Sequence, residues 1–287
     1  MSGIPMDSSA ITAETQYVEL RNRKLAYRSL GEGSPLILCN RFRGVMDSWD
    51  PAFLDSLALN FRVLIFDYTG LGRSSGAPSF GYMGLAQDAK DLADALGWQR
   101  FVIGGWSLGG IVAQLVVTEF PGRVTHGILI ATTPPGIVAY APARLFFDHS
   151  LKAENDFDDE LVLFFEPASA FSRAAASRSH ERIAMRTHDL SPAIPQHLVA
   201  GILSNADGPT LFPDVLGTLN KLRSTSVPML AICGDHDTVF PVENWYSVAR
   251  HLRTVQLLVY PNCGHGPHHQ HPIAVAEYID TFVRTNE

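Results

Sequence analysis

Phe101-Val102-Ile103-Gly104-Gly105-Trp106-Ser107-Leu108-Gly109-Gly110 joins an apolar run, a Gly-x-Ser-x-Gly segment and the start of a second apolar stretch. Read as strand, sharp turn and helix, the segment has a steric logic. A serine on such a turn holds a strained backbone, and the residues two before and two after it must be nearly free of side chain. Gly105 and Gly109 meet that need, and Gly110 adds room. The turn lifts the Ser107 hydroxyl above the sheet. It also leaves the Leu108 amide free at the helix start, where a developing oxyanion can be held. The five-residue pattern occurs by chance in many sequences; the strand before it and the helix after it make it informative.

The same alternation extends outward. Short apolar runs at Leu36–Cys39, Arg62–Phe66, Phe101–Ile103, Gly127–Ile130, Val227–Cys233 and Val255–Val259 suit strands buried on both faces of a parallel sheet. Between them, Tyr82–Leu96, Leu108–Phe120, Glu243–Leu252 and Ile273–Val283 have helical spacing, with Gly97 and Pro121-Gly122 as stops. Tyr17–Leu30, broken near Asn22, reads as a hairpin. This is an α/β pattern: a sheet with helices on both faces. From Pro134 to about Ser226 no strand-like run appears, only helix-like pieces around Leu145–Phe147, Leu161–Phe165 and Arg173–Met185 between prolines. The expected organisation is a mobile tail over residues 1–14, a core over 15–133 and 227–287, and a helical cap inserted at 134–226. A cap fed from a strand's carboxyl end would roof the place where open α/β sheets bind ligands.

The 287 residues are 46% hydrophobic and 18% charged, enough for a sizeable core, with a formal net charge of −7. That balance disfavours nucleic acid and anionic membranes as partners, since both need a basic face. Cys39, Cys233 and Cys263 cannot all pair within one chain, and no signal-peptide pattern opens the sequence. A cytoplasmic protein acting on a small molecule is expected; the oligomeric state is left open.

At this point the chain resembles the α/β-hydrolase fold superfamily, from about Tyr17 to Val283. Asp67-Tyr68-Thr69-Gly70-Leu71-Gly72-Arg73-Ser74 resembles the family's Asp-x-x-Gly-x-Gly-x-Ser loop. Its glycines serve turn geometry, and no Gly-x-Gly-x-x-Gly precedes a helix to suggest a nucleotide. Gly234-Asp235-His236-Asp237 and Cys263-Gly264-His265 occupy the positions of the other triad members. The resemblance implies an eight-stranded, mostly parallel sheet with a helical cap. It implies Ser107 as nucleophile, His265 as base and Asp237 as the acid that orients it, in the order serine, acid, histidine. Asp235 is then a turn residue. His268, His269 and His271 come later, toward a helix near Pro272, and are expected to be solvated or capping. No His-Glu-x-x-His is present and no ligand spacing points to zinc, so neither metal nor organic cofactor is expected.

The pattern breaks after the third strand. The usual His-Gly is replaced by Asn40-Arg41-Phe42-Arg43-Gly44. Alignment makes the Phe42 amide the second oxyanion donor beside Leu108, and Arg41 in place of glycine bears on the loop's path. Loss of one such donor costs about 2.7–4 kcal/mol of transition-state stabilisation. Arg41 and Arg43 could clamp an anionic group of the substrate, or else point to solvent or pair with Asp47 or Asp50. Trp106, next to the nucleophile, is a further substrate-contact candidate. Phe146, Phe147, Phe164, Phe165 and Phe171 either line a pocket or pack cap on core.

These readings converge on hydrolysis of an ester or lactone through an acyl-enzyme. Alternatives on the same residues are carbon–carbon bond hydrolysis of a β-diketone-type acid, cofactor-free perhydrolysis, and ligand sensing by a slow triad, since a fold alone never fixes the reaction.

Overall fold

A computed structural model describes residues 9–136, 139–203 and 210–286. Its strands are β1 (Gln16–Leu20), β2 (Arg23–Leu30), β3 (Ser34–Cys39), β4 (Phe61–Phe66), β5 (Phe101–Trp106), β6 (Val124–Ile130), β7 (Met229–Gly234) and β8 (Val255–Tyr260). They form one eight-stranded sheet in the order β1-β2-β4-β3-β5-β6-β7-β8. The β1–β2 hairpin and the β2–β4 pair are antiparallel; the other pairs are parallel. The apolar runs follow from burial on both faces. In β3, Ile37 and Cys39 enter one core while Leu36 and Leu38 enter the other, all four out of contact with water.

Helices cover both faces. On one lie α1 (Pro51–Leu57), capped by the Asp50 carboxylate on the Ala52 amide, and α11 (Pro272–Thr285), packed on α1. On the other, α2 (Tyr82–Ala95) packs on α3 (Leu108–Glu119). Gly97 closes α2 at φ +73°. Every residue of α3 from Leu108 to Val117 is buried, which explains its apolar character all round.

The β5 strand runs three residues beyond the expected run, to Trp106. Its glycines are close approaches, not breaks: a Cβ on Gly104 would stand 2.8 Å from Leu38 Cδ2, and one on Gly105 only 2.0 Å from the Gly109 carbonyl oxygen.

Between β6 and β7 lie α4 (Arg144–Ser150), α5 (Phe157–Phe164), α6 (Ala170–Ala184), α7 (Gln196–Leu203) and α8 (Thr218–Ser224). The Asp67 loop after β4 ties this insertion to the core. Asp67 accepts from the Met46 amide (2.8 Å), the Arg73 amide (2.9 Å) and the Ser191 hydroxyl (2.7 Å), with Gly70 and Gly72 at positive φ. The expected tail falls partly on residues 1–8, outside the described residues. From Ala10 onward it is anchored: the Ala10 amide donates to Asp55 (2.7 Å), and Arg186 of the insertion donates to the carbonyls of Ala10, Ile11 and Ala13. Among the described residues no helix is long and apolar enough to cross a membrane. The three cysteines are buried and unpaired.

Candidate active site

Ser107 caps α3 at φ 59°, ψ −118°, a conformation L-residues rarely hold. The Ser107 amide donates to the Ile130 carbonyl (2.9 Å), and its own carbonyl accepts from the Gly110 amide (2.9 Å). Gly109 is required by more than the turn. A Cβ there would lie 1.9 Å from the Cys39 carbonyl oxygen and 2.8 Å from that of Asn40. The start of α3 is therefore pressed against the end of β3, beside the loop that carries Phe42. Neither the Leu108 nor the Phe42 amide donates a hydrogen bond among the described residues. For Leu108 this is the ordinary state of a first-turn donor.

Two other loops meet at the same sheet edge. The turn after β7 and the loop after β8 are stitched together: the Asp235 amide donates to the Tyr260 carbonyl (3.1 Å) and the His236 amide to that of Cys263 (2.9 Å). Gly234 permits this, because a Cβ would lie 2.2 Å from both the Cys263 and the Gly264 carbonyl oxygens. The stitching brings His265 Nδ1 to 2.8 Å from Asp237 Oδ2, with both side chains buried. Asp237 Oδ1 accepts from the Val239 (2.8 Å) and Phe240 (2.9 Å) amides, so both carboxylate oxygens are held. Asp235 instead bonds the exposed His236 and the Cys263 amide. Burial raises the Cys263 thiol far above its ordinary value, so it is no thiolate beside the histidine.

Ser107 and His265 line one small cavity of about 30 Å³, with Phe42, Arg41, Val239 and, from the insertion, Phe146, Ser150, Leu163 and Phe164. Among the described residues no hydrogen bond joins the Ser107 hydroxyl to the His265 ring; such contacts often tighten only when substrate is bound. Sequence reasoning passed over Leu163, Ser150 and Val239. Phe146 and Ser150, one helical turn apart on α4, were the readable signal.

The two loop arginines differ. Arg43, at φ +57°, donates to the carbonyls of Ser150 (2.8 Å), Lys152 (2.6 Å) and Ala153 (2.9 Å), spending its guanidinium on the end of α4. Arg41 turns into the cavity. Neither pairs with Asp47 or Asp50: Asp47 holds Arg28 and Arg186, and Asp50 holds Arg182.

Trp106 does not line the cavity. It is 1% exposed, and its Nε1 donates to the His265 carbonyl (2.7 Å), making it a strut beneath the histidine loop. The expectation of solvated or capping histidines is overturned for His268 and His269, which are buried in α10 (Pro267–Gln270). His268 packs against Trp49, Phe53 and Trp106 with both ring nitrogens unpartnered. The Ser179 hydroxyl has one proton and donates it to Asp50 (2.7 Å), so His269 Nδ1–H donates to Ser179 Oγ (2.9 Å). Runs of histidine look polar in sequence; here an aromatic cage and the Asp50–Ser179–Arg182 network enclose them. Among the described residues no group of three or more His, Cys, Asp or Glu could hold a metal ion.

Burial holds both rings neutral. His269 is pushed down to about 4, with Arg41 and Arg182 adding to the effect against Asp50, and burial lowers His268 well below its ordinary value too. The unfolded chain then binds protons that the folded chain refuses between about pH 6.5 and 4, so stability falls as pH falls through that window and is unaffected by this group above it. For His269 alone the loss at pH 5 is about 2 kcal/mol. Denaturant melts at pH 7 and pH 5 are expected to show at least this loss, and a folded His269→Gln variant a smaller one; identical differences in the two proteins would refute the assignment.

Residues 34–272 match the family described as alpha/beta hydrolase fold. Among curated proteins, the chain is 28% identical over 268 residues to a pimeloyl-[acyl-carrier protein] methyl ester esterase of Nitrosospira multiformis, covering 91% of this chain and 98% of that one. It is 28% identical over 258 residues to a non-heme haloperoxidase of Rhodococcus erythropolis, covering 85% and 89%. Among solved structures, an alpha/beta hydrolase fold protein from Chitinophaga pinensis superposes with a TM-score of 0.84 at 26% identity, over 96% of this chain and 98% of that one.

Proposed function

Because this chain belongs to the alpha/beta hydrolase fold family, we propose that it is a serine hydrolase that cleaves a small carboxylic ester or lactone through an acyl-enzyme at Ser107. The observation that carries this reading is the buried Asp237–His265 hydrogen bond opening on the cavity that Ser107 also lines. Similarity to a methyl ester esterase over nearly the full length of both chains supports it.

In this mechanism the Asp237 carboxylate holds the His265 proton on Nδ1, which leaves the Nε2 lone pair to accept the Ser107 proton. Ser107 Oγ attacks the carbonyl carbon, and the Leu108 and Phe42 amides receive the oxyanion. Protonated His265 gives its proton to the departing alcohol. Water, deprotonated by the same ring, then attacks the acyl-enzyme and releases the acid and free Ser107. The cavity is small, about 30 Å³, and Phe146, Leu163 and Phe164 supply an apolar wall for a short acyl or alcohol group.

Incubation with a fluorophosphonate is expected to modify one serine, Ser107, by mass spectrometry, and 4-nitrophenyl acetate to be turned over faster than the octanoate. Labelling elsewhere, or none together with no turnover across an ester and lactone panel, would reject the reading. Similarity to a haloperoxidase supports one second reading on the same acyl-enzyme, in which hydrogen peroxide replaces water and the product is a peracid. Peroxide-dependent halide oxidation in the presence of a carboxylic acid would distinguish it.

A further inference from the structure

Arg41 stands beside the candidate nucleophile with its charge unanswered. Its guanidinium carbon lies 4.7 Å from the centre of the Phe164 ring and 5.2 Å from that of Trp106. Nη1 donates to the Phe42 carbonyl (2.7 Å), and the buried Nε has no acceptor. Among the described residues no carboxylate lies within ion-pair distance of it. The acids whose charge or sequence position would serve are occupied: Asp47 by Arg28 and Arg186, Asp50 by Arg182, and Glu160 by a hydrogen bond to His180. Burial lowers Arg41 to about 10, which leaves it charged at neutral pH.

A guanidinium drawn out of water needs either a counter-charge or a full set of acceptors. Stacking on two aromatic faces answers part of that need, and one carbonyl answers a little more. The rest is directed into the cavity lined by Ser107 and His265. Arg43, the other cation lining the cavity, has three of its five N–H donors bound to carbonyls of the insertion. One positive charge with its Nη2 uncommitted suits a monoanion, which a carboxylate supplies.

We propose that Arg41 binds a carboxylate carried by the substrate, so that the preferred esters have a free acid group a few bonds from the scissile carbonyl, as in half-esters of short dicarboxylic acids or esters of hydroxy acids. The inference rests on the serine hydrolase reading above and narrows its substrate class.

Two matched pairs test it: 4-nitrophenyl hydrogen glutarate against 4-nitrophenyl butyrate for an acid on the acyl side, and O-acetylglycolate against ethyl acetate for one on the alcohol side. In the natural protein kcat/KM is expected to favour the acidic member of at least one pair by about ten-fold or more, chiefly through KM. That ratio is expected to collapse in Arg41→Met and to survive in part in Arg41→Lys. No acidic preference in either pair, or a preference untouched by Arg41→Met, would overturn the proposal. A second readout needs neither turnover nor a variant: glutarate is expected to raise the melting temperature of the natural protein where glutaramide does not. If phosphonate labelling and ester turnover both fail while glutarate still stabilises, the hydrolase reading falls and the carboxylate site stands. If labelling succeeds and glutarate neither stabilises the protein nor slows labelling, the carboxylate site falls alone.

Discussion

Replacing Ser107 with alanine is expected to lower kcat on any ester the protein turns over by about 10⁴–10⁶-fold, with KM changed only a few-fold. The size follows from the role. Without Oγ there is no covalent intermediate, and the remaining oxyanion donors and binding contacts retain only a small part of the acceleration. Alanine keeps the Cβ that strains φ at 59°, so the melting temperature should stay close to that of the natural protein. Glycine at the same position removes that Cβ, and strain of this kind is worth about 1–3 kcal/mol. Ser107→Gly is therefore expected to be as inactive as Ser107→Ala and more stable. Substantial ester turnover by purified Ser107→Ala, free of contaminating esterase, would end the assignment of the nucleophile.

The second large effect is expected from Asp237→Asn, at about 10⁴-fold in kcat. Asparagine can keep its carbonyl oxygen on the Val239 and Phe240 amides, which Asp237 Oδ1 now accepts at 2.8 and 2.9 Å. Its NH₂ would then face His265 Nδ1, where Asp237 Oδ2 stands at 2.8 Å. Nδ1 must become the acceptor and the ring proton moves to Nε2, the position that has to be empty to take the serine proton. The fold survives while the base faces the wrong way. Asp235→Asn is the matched control: that side chain bonds His236 and the Cys263 amide, and its loss is expected to change kcat by no more than about five-fold. If the two variants exchanged their effects, the acid would have to be reassigned.

Much of this architecture was legible because it is periodic. The runs at Leu36–Cys39 and Val255–Val259 are apolar since both faces of the sheet are covered, and that constraint is local to each strand. The glycines at 105 and 109 were legible for a steric reason that a single turn imposes. What was illegible depends on contacts across the chain. Gly104 looks like a strand breaker until Leu38 is placed against it. His268 and His269 look like a polar loop until Trp106, Trp49 and Phe53 close around them. Arg41 and Arg43 are two residues apart with the same charge and both line the cavity, yet Arg41 bonds one carbonyl of its own loop while Arg43 bonds three at the end of a helix from the insertion. Only the path of residues 150–153 decides that difference, and nothing at positions 40–44 encodes it.

The Arg43 clasp has a mechanical corollary. The three carbonyls it holds belong to the same insertion whose Phe146, Leu163 and Phe164 line the cavity, while Arg43 itself is the residue after Phe42. Any displacement of residues 150–153 large enough to break those bonds would therefore also free the backbone next to Phe42, the proposed second oxyanion donor. Insertion and loop are thus fastened at one residue, and neither can shift far without straining the other.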